Sequence, residues 1–228
     1  VAYDFAYYLS EKGFYITSGL AHGIDEAAHR GGLAHHRSIA VTGTGLDTVY
    51  PTQNKPLAQQ IAQSGAIITE FLPTTLPLQQ HFPRRNRIVS GLSLGVLVVE
   101  AALKSGSLIT ANEAANQGKM VFAIPGHIYS EYHQGCHQLI REGAVLVDHP
   151  EQIIEDFELL RDLAGWASAR IEAARAVHII DIVEDYRQVL LNELDLTLEA
   201  ANTTQMRNNF LGSSMMYVPE VYQASKNI

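Results

Sequence analysis

Six short apolar runs alternate with helix-like stretches over the first 150 residues, and this alternation constrains the fold more than any other feature. The runs are Phe14–Ser18, Ser38–Thr42, Ala66–Glu70, Gly95–Glu100, Met120–Ile124 and Ala144–Val147. Most are almost continuously apolar, as expected of parallel strands covered on both faces. Helical patterns fall between them near 24–34, 54–64, 106–117 and 134–142. Strand–helix alternation of this kind predicts an α/β fold with a doubly wound, mainly parallel sheet. In such sheets ligands sit outside the carboxyl ends of the strands. Val1–Lys12 reads as a helix with no strand before it. A doubly wound sheet ordinarily opens with a strand that becomes interior. The expectation is therefore a chain that begins inside a domain, with its first strand missing.

The pattern changes after Phe157. Strand signals stop for about sixty residues, and Ile171–Ile180 and Val183–Asn209 carry helical spacing. Tyr217–Tyr222 then reads as the start of a strand. Two parts are expected, 1–157 and 158–228, the second an α-helical fragment. Apolar residues make up 46% of the chain and charged ones 18%, which favours a packed core over disorder. Net charge is −8, and both parts are acidic: 10 basic against 14 acidic side chains in 1–157, and 6 against 10 in 158–228. Attraction of a polyanion by bulk charge is excluded, so it requires a local basic patch. The single Cys136 excludes an intrachain disulfide. No run approaches the roughly 20 apolar residues of a membrane span, and no signal peptide opens the chain, so a cytoplasmic protein without a membrane segment is expected.

A basic patch exists in one place. Phe82-Pro-Arg-Arg-Asn-Arg-Ile-Val-Ser-Gly-Leu-Ser93 reads as a basic loop leading into the strand Gly95–Glu100, and Lys104-Ser-Gly-Ser107 follows as a small turn. Arg84, Arg85, Arg87 and Lys104 thus gather around a strand end. Guanidinium stays charged and bonds two phosphate oxygens at once. Phe82 is placed to stack on a base, and Ser105 and Ser107 flank a helix N-terminus, where phosphates bind. The competing reading is that the arginines pair with Glu70 or Glu100 and hold loops together.

Other motifs carry less. Ser18-Gly-Leu-Ala-His-Gly-Ile-Asp-Glu-Ala-Ala-His29 joins a strand to a helix, its glycines permitting close backbone approach. Asp25 and His29 lie one helical turn apart, where a structural pair outweighs acid–base chemistry. Thr42-Gly-Thr-Gly-Leu-Asp47 lacks the third glycine of the dinucleotide fingerprint. His133-Gln-Gly-Cys-His137 has metal-ligand spacing, but Gly135 weakens the helix and the zincin glutamate is absent, so no metal is expected. Gly91-Leu-Ser-Leu-Gly95 matches a nucleophile pattern in the wrong context, since it precedes a strand rather than following one. Glu193 and Asp195 project about 200° apart on a regular helix, and Glu199 joins the face of Asp195, which suits a solvated face.

Several blocks taken together resemble the DprA/Smf family of DNA-processing proteins: Thr17–His29, Ile39–Pro51, Phe82–Ser93, Val99–Ala111 and Gly135–Ala144, in that order. The resemblance covers 1–157. It implies an extended Rossmann fold, here truncated, that binds single-stranded DNA, forms a homodimer and loads the RecA recombinase during natural transformation, with no catalytic residue and no cofactor. Carried over residue by residue, it implies that Arg84, Arg85, Asn86, Arg87, Lys104, Ser105 and Ser107 line the DNA site, with Ser18 and Gly19 of the first glycine turn beside them. The family's Gly-Ser-Arg-type segment would precede Val1.

Residues 159–228, above all Val183–Asn202 and Tyr217–Tyr222, are similar to part of the UbiB family of atypical kinases linked to ubiquinone biosynthesis. Glu193 and Asp195 match that family's Glu-x-Asp motif, while the segments that would hold nucleotide and magnesium are absent, so no phosphoryl-transfer site assembles. The expected origin is a fusion of two truncated reading frames. The alternatives to DNA binding are a nucleotide-processing enzyme of the phosphoribohydrolase type, which needs a Pro-Gly-Gly-x-Gly-Thr run not found here, and a non-functional fusion fragment that carries part of a ubiquinone-biosynthesis kinase-like protein.

Overall fold

The computed structural model describes residues 1–170 and 204–208. The chain divides into two compact units, Val1–Glu155 and Asp156–Ile228. The first unit alternates helices and strands: α1 (Ala2–Glu11), β1 (Ile16–Ser18), α2 (Ile24–Leu33), β2 (Ser38–Val41), α3 (Lys55–Ser64), β3 (Ala66–Ile68), α4 (His81–Gly91), β4 (Gly95–Val98), α5 (Gly106–Asn116), β5 (Met120–Ala123), α6 (Gln134–Arg141) and β6 (Val145–Leu146). All six predicted strands and five predicted helices form, the strands shorter than their apolar runs.

Every ladder is parallel. The strands lie in two three-stranded sheets, β1-β2-β3 and β4-β5-β6, and among the described residues no ladder joins them. Among the described residues β2 and β5 pair on both edges, and β1, β3, β4 and β6 on one. The central strand β2 is buried throughout, which matches its unbroken apolar sequence. Each sheet has its own core. Leu20, Ala40, Leu57, Ala58 and Ile61 pack between β2 and α3, and Val98, Ala101, Ala111, Ala123, Cys136 and Leu139 pack around β4 and β5. Burial of a side chain the size of Leu57 or Ile61 is worth about 1.5–3 kcal/mol. Helices α1 and α2 cross closely because Gly31 has no side chain. A Cβ there would lie 2.5 Å from Tyr3 O and 2.8 Å from the Ala6 Cβ.

The basic segment 81–91 is a helix, α4, and not a loop. Pro83 reads as a breaker, but it occupies the third helical position, where the missing N–H has no intrahelical acceptor to lose. The last turn of α4 is tied down from the residue just before β5: Lys119 Nζ donates to Ser90 O at 2.7 Å and to Gly91 O.

The second unit begins within α7, Pro150–Arg170. Residues 204–208 are helical, inside the predicted helix Val183–Asn209. The predicted helix Ile171–Ile180, the strand start Tyr217–Tyr222, and Glu193, Asp195 and Glu199 lie outside the described residues.

Candidate nucleic-acid interface

The helical phase of α4 splits its arginines into two jobs. Residues three apart share a helix face, while a neighbour is turned by 100°. Arg84 and Arg87 therefore project together, with side chains 64% and 55% exposed. Arg85 turns inward and is 6% exposed. Its Nη1 donates to Val41 O at the carboxyl end of β2, and its Nε donates to Asn86 Oδ1 at 3.0 Å. The guanidinium lies against Gly19, where a Cβ would overlap it. The glycine of the first turn is thus required by an arginine 66 positions further along the chain. Burial pushes the Arg85 pKa down, and the charge of Asp25 opposes the shift.

Asp25 also builds the turn beneath Arg85. Its Oδ2 accepts from Gly19 N and Ala21 N, both at 3.1 Å. Asn54 Nδ2 donates to Leu20 O at 2.9 Å from the far side. Leu20, at φ 65°, is held in the left-handed region by these contacts. The sequence pattern does not single out Asn54; its signal is a polar side chain just before a helix whose start it does not cap. His29 is fully buried. Its Nδ1 lies 2.8 Å from Ser38 Oγ, and its Nε2 has no hydrogen-bond partner. Burial, opposed by Asp25 and reinforced by Arg85, lowers its pKa to about 4, so the ring is neutral near pH 7. Asp25 spends its carboxylate on the backbone, which supports the structural reading of the Asp25–His29 spacing.

The exposed pair meets a carboxylate at the end of β3. Glu70 Oε2 lies 2.6 Å from Arg87 Nη2 and 3.3 Å from Arg84 Nη2. The pairing with Glu70 foreseen as the competing reading is present for these two arginines. Phe71 stacks on His81 with centroids 4.2 Å apart, and the Arg84 guanidinium lies 5.8 Å from the Phe71 ring. Phe82 packs beside Gly43 and Tyr50 instead of standing free.

Asn86 connects α4 to the next turn, its Nδ2 donating to Gly106 O at 3.4 Å. Ser105 caps α5: its Oγ accepts from Ser107 N and lies 3.2 Å from Ser107 Oγ. Lys104 is exposed beside them. Every sequence-predicted site residue therefore falls at the carboxyl end of β1, in the turn and helix start that follow β4, or on α4, which reaches the end of β2 through Arg85. Ser18 and Gly19 end β1 and underlie Arg85, while Arg84, Asn86, Arg87, Lys104, Ser105 and Ser107 lie at or near the surface.

The remaining motifs fall away from this site. Cys136 packs in the β4–β5 core, His133 Nδ1 lies 3.1 Å from Ser130 Oγ, and His137 Nε2 lies 3.1 Å from Gly126 O. Among the described residues no three His, Cys, Asp or Glu side chains gather as metal ligands would. Ser93 Oγ donates to Val89 O at the end of α4. No helix among the described residues is long and apolar enough to cross a membrane.

Residues 1–158 match the profile of the family described as DNA recombination-mediator protein A, and residues 139–228 match that of the ABC1 atypical kinase-like domain. The chain is 52% identical over 152 residues to Protein Smf of Escherichia coli (strain K12), covering 66% of this chain and 41% of that protein. It is 48% identical over 149 residues to DNA processing protein DprA of Streptococcus pneumoniae, covering 65% and 53%. It thus spans about half the length of these relatives. A segment of 85 residues is 44% identical to the probable protein kinase UbiB of Cellvibrio japonicus, 36% of this chain and 15% of that one. Among solved structures, the S. pneumoniae DprA is 45% identical with a TM-score of 0.63, covering 68% of this chain and 54% of that one. The Helicobacter pylori protein, whose structure is described for its single-stranded DNA binding mode, is 33% identical with a TM-score of 0.64, covering 71% and 73%.

Proposed function

The chain belongs, through residues 1–158, to the DNA recombination-mediator protein A family, and on that premise we propose that it binds single-stranded DNA and hands it to the RecA recombinase in DNA processing during natural transformation. The observation that carries the reading is the paired, outward-facing Arg84 and Arg87 on α4, at the carboxyl ends of parallel strands in an otherwise acidic protein. Arg84, Arg87 and Lys104 contact phosphates; Asn86, Ser105 and Ser107 line the same surface as neutral hydrogen-bonding groups. Arg85 acts one layer deeper with Ser18 and Gly19, fixing the phase of α4 against β1 and β2. The work is binding, with no chemical step and no cofactor. It takes place in the cytoplasm, on a homodimer formed through the α/β unit.

The test is anisotropy of a labelled single-stranded oligonucleotide across a salt series. Three phosphate contacts give a log–log salt slope of roughly −2, at about 0.7 per contact for single strands. Single strands must outcompete duplex of equal length, because unstacked bases add contacts that a duplex withholds. Equal affinity for duplex, or binding insensitive to salt, refutes the reading. RecA loading is checked by whether the protein speeds RecA filament assembly on strands already coated with single-strand-binding protein.

A further inference from the structure

Arg84 and Arg87, the two cations best placed for phosphate, are already occupied. Both converge on one oxygen of Glu70, at 3.3 and 2.6 Å. Glu70 is the less exposed partner, its side chain 15% exposed, and its second oxygen, Oε1, is buried with no hydrogen-bond partner. Its neighbours in the chain are tied to the segment that follows β2. Thr69 Oγ1 donates to Thr44 O at 2.8 Å and to Thr42 O at 3.2 Å, and Phe71 N donates back to Thr69 Oγ1 at 3.1 Å. A largely covered carboxylate thus faces two long, half-solvated arginines. The arginines are the more exposed partners, and they are the ones that must turn to meet a strand.

Resting on the reading that α4 binds single-stranded DNA, we propose that Glu70 is a built-in competitor for the phosphate backbone and holds the affinity of this face below what its arginines would otherwise reach. The protein exchanges one anion for another as the strand arrives: the guanidiniums leave Glu70 Oε2 for phosphate oxygens. Exposed ion pairs are weak, so the exchange proceeds, but each pair broken subtracts from binding. Once its arginines leave, the carboxylate stands uncompensated beside the strand and repels it. A competitor of this kind gives fast release, which suits a protein that passes its strand on.

The experiment compares the full chain with Glu70→Gln, which keeps the shape and removes the charge. Binding of a labelled oligonucleotide is measured at one moderate salt concentration, and thermal melts establish that each variant is folded. Two surface pairs predict that Glu70→Gln binds tighter by about two- to thirty-fold. In an Arg84→Ala/Arg87→Ala background the same change must gain clearly less, because the competition it removes no longer exists. Unchanged or weaker binding by Glu70→Gln overturns the proposal; weaker binding would make Glu70 a positioning residue for the arginines. An equal gain with and without the arginines also overturns it, since that would be general charge repulsion. If no variant binds the oligonucleotide, the DNA-binding reading itself fails, a result distinct from a wild type that binds and a Glu70→Gln that binds no better.

Discussion

Replacing Arg85 by Met separates an arginine that holds the site from arginines that touch the ligand. Arg85 is 6% exposed, and its guanidinium donates to Val41 O and Asn86 Oδ1. A hydrogen bond from a charged donor is worth about 1.5–3 kcal/mol, and leaving a buried carbonyl such as Val41 O unpaired adds to the loss. Methionine recovers part of this by filling the space with an apolar chain and by removing the cost of burying a cation. The net expectation is a loss of about 2–4 kcal/mol. For a unit of roughly 150 residues that lowers the melting temperature by about 4–16 °C. Arg87→Met, at a side chain 55% exposed, should leave the melt within about 0.5 kcal/mol of wild type while weakening oligonucleotide binding. The assay is thermal and urea unfolding beside anisotropy for both variants. If Arg85→Met melts like wild type yet loses DNA binding as strongly as Arg87→Met, Arg85 contacts DNA directly and the division of labour on α4 is wrong.

Two further perturbations test the frame around the site. His29, with a pKa lowered to about 4 in the fold and near 6.5 when unfolded, takes up its proton more readily in the unfolded chain. Its contribution is therefore complete above about pH 6.5 and is lost as the pH falls toward about 4, amounting to about 3 kcal/mol in all. Urea midpoints at pH 7, 5.5 and 4.5 should fall more steeply for wild type than for His29→Gln; parallel curves would contradict this. Gly31→Ala pushes a methyl against Tyr3 O and the Ala6 Cβ. It should cost about 1–3 kcal/mol by overpacking, read as a lower melting temperature, and an unchanged melt would mean that α1 shifts without strain.

The alternation of the chain was legible because parallel strands buried on both faces must be apolar nearly throughout, and Ser38–Val41 is buried at every position. The placement of the candidate residues near the carboxyl ends of the strands followed from that topology. Helix α4 was not legible. His81–Gly91 is strongly polar and carries Pro83 near its start, so neither periodicity nor propensity marks it. Its position depends on long-range partners: Arg85 on Val41, and Lys119 on the last turn.

From the residues alone, the chain determined an α/β unit and the one basic segment in an acidic protein, because hydrophobic period and charge are local properties. Which arginine faces water and which props up Gly19 was decided only by tertiary structure. Three guanidiniums within four residues are chemically equivalent until a helix sets their directions and a neighbouring strand end buries one of them. Glu70 was one of two carboxylates in view from the sequence, and only the fold set it at the end of β3, within 2.6 Å of Arg87. The contact pairs residues 17 positions apart, so it depends on how the chain returns on itself rather than on local pattern.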